Sequence, residues 1–167
     1  MVFDWKEMEE IQKFFGILFN TYKFAELYLN MDFAVQPNKK EWLIEDQWLA
    51  SKTNTIAMDC LQQYNNYEFF KAVNTLENFV MEDISRTYIK TVRDRIGSKT
   101  QKGVEQAIGN CLFTILQLLA PLTPHLAEHF YQRFRSVKLP ESIHLTEFSE
   151  WKESNSNKKL EMEFEKA

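Results

Sequence analysis

The sequence predicts an all-α fold, an up-down bundle of four to five helices closed by a short extended C-terminal strap. Three observations carry that prediction. Four Gly and four Pro in 167 residues leave little turn material for a β fold. Long stretches free of both residues repeat their apolar side chains at helical i, i+3/i+4 spacing. The helical period then breaks over residues 136–151 (SVKLPESIHLTEFSEW), which read as an extended segment lying across the helices.

Asp4 followed by Glu7 has the spacing of a capping box. The helix it opens runs to about Met31, with Met8, Ile11, Phe15, Leu18, Tyr22, Ala25 and Leu29 on one face. Phe14, Ile17, Phe24 and Tyr28 widen that face, so heavy cover is expected along this helix. Residues 32–40, with Pro37 and Asn38, form a loop. A second helix is expected from Trp42 to Tyr64 with Trp48, Leu49, Ile56 and Cys60 inward, although Ser51 to Thr55 are poor helix formers. Asn65 and Asn66 break the chain before the third and longest helix, Tyr67 to Ile96, roughly 45 Å at ~1.5 Å per residue.

That third helix organises the rest. Val73, Leu76, Val80, Ile84, Tyr88 and Val92 form one stripe. Phe69, Ala72, Leu76 and Phe79 begin a second, which continues as Asp83, Arg86, Lys90 and Arg93. Its first half therefore needs partners on two sides, and its second half needs one and presents a basic face. Gly97 suits a helix C-cap, and GSKTQKG is a flexible basic connection. Val104, Ile108, Cys111, Ile115 and Leu118 mark a fourth helix, stopped by Pro121. Thr123 and Pro124 are an N-cap and N1 pair for a short fifth helix to about Phe134. The strap is expected to bury Leu139, Ile143, Leu145 and Trp151. KESNSNKK reads as a polar linker and LEMEFEKA as the start of a helix cut short. The expected division is thus 1–151 for the bundle and 152–167 for a linker and the start of a following segment.

Apolar residues at 44% and charged ones at 26% are ordinary for a globular domain. The net charge of −4 gives no overall pull towards nucleic acid. The local balance differs, because residues 86–102 hold six cations against the single acid Asp94, a net +5. Cys60 and Cys111, each inside an apparent helix, read as buried thiols rather than a disulfide or metal pair. With no signal peptide and no apolar run of membrane-spanning length, the expected setting is cytoplasmic and reducing, with no membrane partner.

Four pieces of the chain resemble one family. DQWLASKTN (Asp46 to Asn54), YEFFKAVNTLENFVMEDISRTYIKTVRDR (Tyr67 to Arg95), LAPLTPHLAEHFY (Leu119 to Tyr131) and ESIHLTEFSEW (Glu141 to Trp151) are similar, in that order, to the anticodon-binding helical bundle of class I aminoacyl-tRNA synthetases. The isoleucine, valine, leucine and methionine enzymes share this bundle. Asp83, Ser85 and Tyr88 followed by Arg93–Arg95 resemble the isoleucine branch most, and FDWKEMEEI looks archaeal in type. Gln47 and Thr87 depart from the Arg and Trp of the family pattern, Phe148 from the Trp of its strap, and Gly97 stands where an aromatic residue often follows Arg-Asp-Arg. The chain carries neither a HIGH nor a KMSKS motif. The resemblance therefore implies a tRNA-gripping part of an isoleucine–tRNA ligase, without its catalytic part. It implies isoleucine tRNA as partner, along with the catalytic and C-terminal domains of a parent chain. ATP and Mg are implied for the parent and no cofactor for this stretch, with a monomer expected. A valyl, leucyl or methionyl origin is the alternative within the family.

The candidate RNA-binding residues are Arg86, Lys90, Arg93, Arg95, Lys99 and Lys102. Arg86, Lys90 and Arg93 stand at i, i+4 and i+7, rungs about 5–6 Å apart on one side of a helix, close to the spacing of successive phosphates. Such contacts position RNA, while base identity needs stacking or amide hydrogen bonds to splayed bases. Gln47, Lys52, Asn54, Gln101 and Gln106 are candidates for the second task if exposed. Asp83 interrupts an apolar stripe and is expected to be tied to a hydroxyl, amide or cation. Two readings from other classes remain. His125, Glu128 and His129 spell H-x-x-E-H, the two-His-plus-base spacing of a zinc hydrolase, with Glu141, Glu147 or Glu150 as a third ligand. A stand-alone helical interaction module would instead turn the basic stretch towards an acidic protein.

Overall fold

The computed structural model describes residues 5–30, 32–33 and 38–164, with side chains described from Met8 onward. The expected Asp4–Glu7 capping box lies outside them. Six helices and no strand are present among the described residues: α1 Trp5–Tyr28, α2 Ile44–Asn65, the continuous α3 from Phe69 to Arg95, α4 Gln101–Leu119, α5 Pro124–Phe134 and α6 Lys158–Phe164. The fold is all-α, as predicted.

The helices alternate in direction. Tyr22 in the last third of α1 donates to Leu112 O of α4 at 2.7 Å, Asn30 N–H beyond the end of α1 donates to Glu105 near the start of α4 at 2.9 Å, and Tyr64 at the end of α2 donates to Leu118 O near the end of α4 at 2.6 Å. The C-terminal end of α1, the start of α2, the end of α3 and the start of α4 thus gather at one end of the bundle. On α1, Phe14, Leu18, Thr21, Tyr22 and Ala25 are buried, and the Tyr22 ring stacks on Phe130 of α5 at 4.1 Å. The cover is shorter than expected, since Met8 and Ile11 near its start and Leu27 and Tyr28 at its end are exposed. Leu29, beyond the last turn, is buried again.

The second helix starts at Ile44 rather than Trp42. A 3-10 turn, Lys39–Glu41, precedes it, and Trp42 is buried on the connection. Tyr67, at φ +60, turns the chain from α2 into α3, so α3 opens at Phe69.

Helix α3 is not one uniform α-helix. Phe69–Asn78 is α-helical, Phe79–Tyr88 is π-helical, Ile89–Val92 returns to α, and Arg93–Arg95 is a 3-10 turn. Ile89 N–H donates to Ile84 O, five residues back. The sequence supplies a reason. Leu76, Val80, Ile84, Tyr88 and Val92 stand four apart, and every one is fully buried. Four α-helical residues advance ~400°, so four such steps would carry the stripe ~160° around the axis. A π turn winds more residues and brings the drift back. The exact four-residue repeat and the change of register keep one face on the core. On the second stripe Ala72, Leu76 and Phe79 are buried, Asp83 is half-buried and engaged, and Arg86, Lys90 and Arg93 are exposed.

Gly97 follows the end of α3 at φ +79, the left-handed conformation expected of it. Val104, Ile108, Cys111, Ile115 and Leu118 are buried along α4. Thr123 takes the N-cap position of α5 before Pro124, but its hydroxyl bonds back to Leu119 O at 3.3 Å instead of capping. Cys60 and Cys111 are free and buried, and burial pushes each thiol up to about 12.

The segment after α5 crosses the bundle as an irregular chain with one 3-10 turn, Ile143–Leu145. Ile143 is buried, and Leu139 and Trp151 pack against the core. Leu145 corrects the expectation at 68% exposure, because a three-residue turn that aims Ile143 inward directs Leu145 away. Residues 152–164, expected as a linker and the start of a helix, do form that helix at Lys158–Phe164, and they are seated on α2. Asn54 Nδ2 donates to Lys152 O and Ser156 Oγ at 2.8 and 2.7 Å, and Asn157 N–H donates to Ser51 Oγ at 2.6 Å. Ser51 and Thr55 donate to the buried Glu161 of α6, and Phe164 stacks on Trp48 at 4.7 Å. The polar middle of α2 is a docking strip.

Candidate nucleic-acid interface

The end of the bundle where α1, α2, α3 and α4 meet is fastened by one buried carboxylate. Asp46, fully buried in the first turn of α2, accepts from Leu43 N–H at 3.0 Å and from Tyr88 Oη at 2.6 Å. Arg95 forks onto it with N–O distances of 3.0 and 2.7 Å and reaches Glu45 at 2.7 Å. The same guanidinium donates to Thr100 O at 3.0 Å, joining the end of α3 to the start of α4. Two N–H groups on two carboxylate oxygens make the bidentate geometry that suits Arg and not Lys. Burial works against the Arg95 charge, but the hydrogen bonds and field of Asp46, with Glu45, raise its pKa above the ordinary value. Burial, reinforced by Asp46, pushes the Tyr88 phenol well above its usual range, so it stays a donor.

Gly103 completes the node. A Cβ there would lie 2.5 Å from Glu41 O and 2.9 Å from Asp46 Oδ2. Only glycine allows α4 to approach this closely.

Around this node the predicted cations separate into two kinds. Lys90, Arg93, Lys99 and Lys102 are exposed, and among the described residues none of the four pairs with a carboxylate. Arg86 is exposed too, with Glu82 one turn back as its ion-pair partner. Arg95 differs, its side chain 11% exposed and turned into the protein. It sets where the 96–102 connection lies and offers no free donor face to RNA. The structure thus brings Lys90, Arg93, Lys99 and Lys102 to one end of the bundle and leaves Arg86 further along α3.

The candidate base readers separate as well. Asn54 is buried, with its amide spent on the C-terminal segment. Gln106 bridges Asn38 N–H and Glu41, and Gln101 bonds Glu105 and Tyr28 O. Lys52 is half-buried and engaged. Gln47 stays exposed, bonding Trp42 O at 3.3 Å. Glu45 and Asp46 were missed as a pair with Arg95 because 49 residues separate Asp46 from it. The signal available was the opening Asp of DQWLASKTN.

The H-x-x-E-H string serves another purpose. Glu128 accepts from Gln132 at 2.6 Å on one oxygen, and from Ser142 Oγ at 2.8 Å and Ile143 N–H at 3.0 Å on the other. Burial opposes its charge, but these bonds prevail and lower its pKa. Glu128 is the peg for the strap, with both its oxygens engaged by the protein. No group of three or more His, Cys, Asp or Glu able to hold a metal is present among the described residues.

Comparison with known proteins identifies the family. The family model for the anticodon-binding domain of tRNA ligase matches residues 46–167, opening on the latch carboxylate Asp46. The chain belongs to that family. Similar proteins include isoleucine–tRNA ligases of three archaea. That of Methanothermobacter marburgensis is 32% identical over 87% of this chain and 15% of its own length. Those of Methanopyrus kandleri and Pyrococcus abyssi are 32% and 30% identical over 97% and 98% of this chain, each over 16% of their own length. The chain therefore spans about one sixth of the length of the curated relatives it matches. No helix among the described residues is long and apolar enough to cross a membrane.

Proposed function

We propose that this domain grips the anticodon stem and loop of isoleucine tRNA and positions it for ATP-dependent aminoacylation carried out elsewhere in a parent isoleucine–tRNA ligase. The observation that carries the reading is the set of four exposed cations, Lys90, Arg93, Lys99 and Lys102, with no carboxylate partner among the described residues, at the end of the bundle held by the Asp46–Arg95 node. Phosphate contacts from such a row fix register and orientation. Fixing the 96–102 connection beforehand lowers the ordering cost on binding. ATP and its Mg belong to the parent's catalytic region, since this stretch has neither nucleotide motif. The working unit is a monomer in the cytoplasm. With Arg95 turned inward and Arg86 held by Glu82, the contact set narrows to Lys90, Arg93, Lys99 and Lys102.

The test is a titration against isoleucine tRNA, valine tRNA and an anticodon-swapped isoleucine tRNA at two salt concentrations. Preference for the isoleucine anticodon with steep loss of affinity in salt is expected. Arg93→Ala should reduce the salt slope by about one phosphate's worth while leaving the urea melt unchanged. Equal affinity for all three RNAs would leave a generic polyanion surface. Absence of binding at low salt would favour the protein-interaction module.

A further inference from the structure

Helix α1 was expected to bury Tyr28, and it does not. The ring is 56% exposed at the last residue of the helix, with Leu27 beside it 71% exposed. One side rests on Phe24, ring centroids 5.4 Å apart and tilted by 45°, which limits the ring's freedom and leaves the other side to solvent. The place is specific. Tyr28 O accepts from Gln101 Nε2 at 3.4 Å, in the first turn of α4. Two residues on, Asn30 N–H donates to Glu105 at 2.9 Å. Gln101 lies between Lys99 and Lys102 in the chain. The residue that carries this exposed, half-supported ring is therefore tied through its backbone carbonyl to the start of α4, beside the basic connection.

We infer that Tyr28 is a stacking platform for an unpaired base of the bound RNA, set beside the phosphate contacts of Lys99 and Lys102. This inference rests on the tRNA-binding reading above. Phosphate contacts alone carry no base information, and single-stranded bases are held chiefly by stacking on aromatic faces. The amides proposed as readers are largely committed to protein partners, which leaves a ring to fill the role. The other strongly exposed aromatics, Tyr67 at 83% and Phe70 at 78%, sit at the α2–α3 turn at the opposite end of the bundle, away from the cationic set. Phe69 pairs with Tyr67 at that same turn, Phe148 with Trp151 on the strap, and Phe19 lies under Lys23, so among the described residues Tyr28 is the exposed aromatic next to the basic connection.

The experiment compares the unmodified chain with Tyr28→Ala, Tyr28→Phe and Phe70→Ala, using isoleucine tRNA and a stem–loop RNA with 2-aminopurine in its loop. Tyr28→Ala should weaken binding about ten-fold or more, leave the salt slope unchanged and abolish the fluorescence quench that stacking produces. Tyr28→Phe keeps the ring and should retain both affinity and quench, and Phe70→Ala should match the unmodified chain. Tight, salt-dependent binding by all four proteins with the same quench would overturn the stacking role while leaving the tRNA-binding reading in place. Loss of affinity in Tyr28→Ala through a smaller salt slope would also overturn it, since the residue would then act through phosphate geometry. Failure of the unmodified chain to bind either RNA would remove both readings.

Discussion

Replacing Arg95 with Met tests whether the end of the bundle is held by one ionic node. The substitution keeps most of the side-chain stem and removes the fork. Asp46, with no exposure at all, would keep Tyr88 Oη and Leu43 N–H as donors but lose both guanidinium bonds. Glu45, 13% exposed, would lose its partner at 2.7 Å, and Thr100 O would lose the link between α3 and α4. Solvent screens these groups little, since Arg95 is itself only 11% exposed. Removing one member of a buried pair costs about 3–5 kcal/mol, because a buried charge is left uncompensated. Against a total of roughly 5–15 kcal/mol for a domain, that is a large share. In a urea melt with a slope of ~2 kcal/mol per molar, the midpoint should fall by about 2 M. Asp46→Asn should have a similar effect alone. The two together should cost less than the sum by ~1 kcal/mol or more, since the second change removes a charge the first had stranded. A midpoint shift under about 0.5 M at unchanged slope, or effects that simply add, would refute the reasoning.

Three further outcomes are expected. Phe79→Ala empties a site 1% exposed and should cost about 3–5 kcal/mol in the same melt; a loss below ~1 kcal/mol would show that the ring is not part of the core. Gly103→Ala would set a methyl 2.5 Å from Glu41 O, a backbone atom, and should destabilise by ~1–3 kcal/mol, so a neutral result would contradict the close approach of α4 to the node. Glu128 has a folded pKa below its ordinary value of 4.5, so its contribution is present above that value and is lost as pH falls through the depressed one. Glu128→Gln should accordingly lower stability most at neutral pH and progressively less as the pH is taken down through the depressed value, with faster amide exchange at Ile143; a loss independent of pH would sink the peg assignment.

The helices and most of their inward faces were legible, because burial on α3 and α4 follows a local period that the residues themselves carry. What was not legible depended on partners distant in the chain. Arg95 sits in a run of cations and read as one of them, and its carboxylates lie a helix away. Asn54 read as a reader of bases and KESNSNKK as a linker, yet each satisfies the other. The weak helix formers Ser51 to Thr55 are explained by the same contact, since those hydroxyls and that amide receive the C-terminal segment. Tyr28 escaped for the opposite reason, because apolar spacing at a helix end says nothing about which side chains of the last turn the neighbouring helices cover. The four-residue stripe of α3 reads as helical, and its exactness goes with the change of register that keeps the stripe on the core.

That change of register has a consequence at the far end of the helix. Adding or removing one residue from a winding turns everything beyond it by about 100°. Were Phe79–Tyr88 to relax into ordinary α-helix, the helix would survive, but Lys90 and Arg93 would swing to a different bearing. The compass setting of the positive row is therefore stored upstream, in apolar side chains that never meet a ligand. A core substitution there can therefore weaken the grip by misaiming it, with every cation still in place.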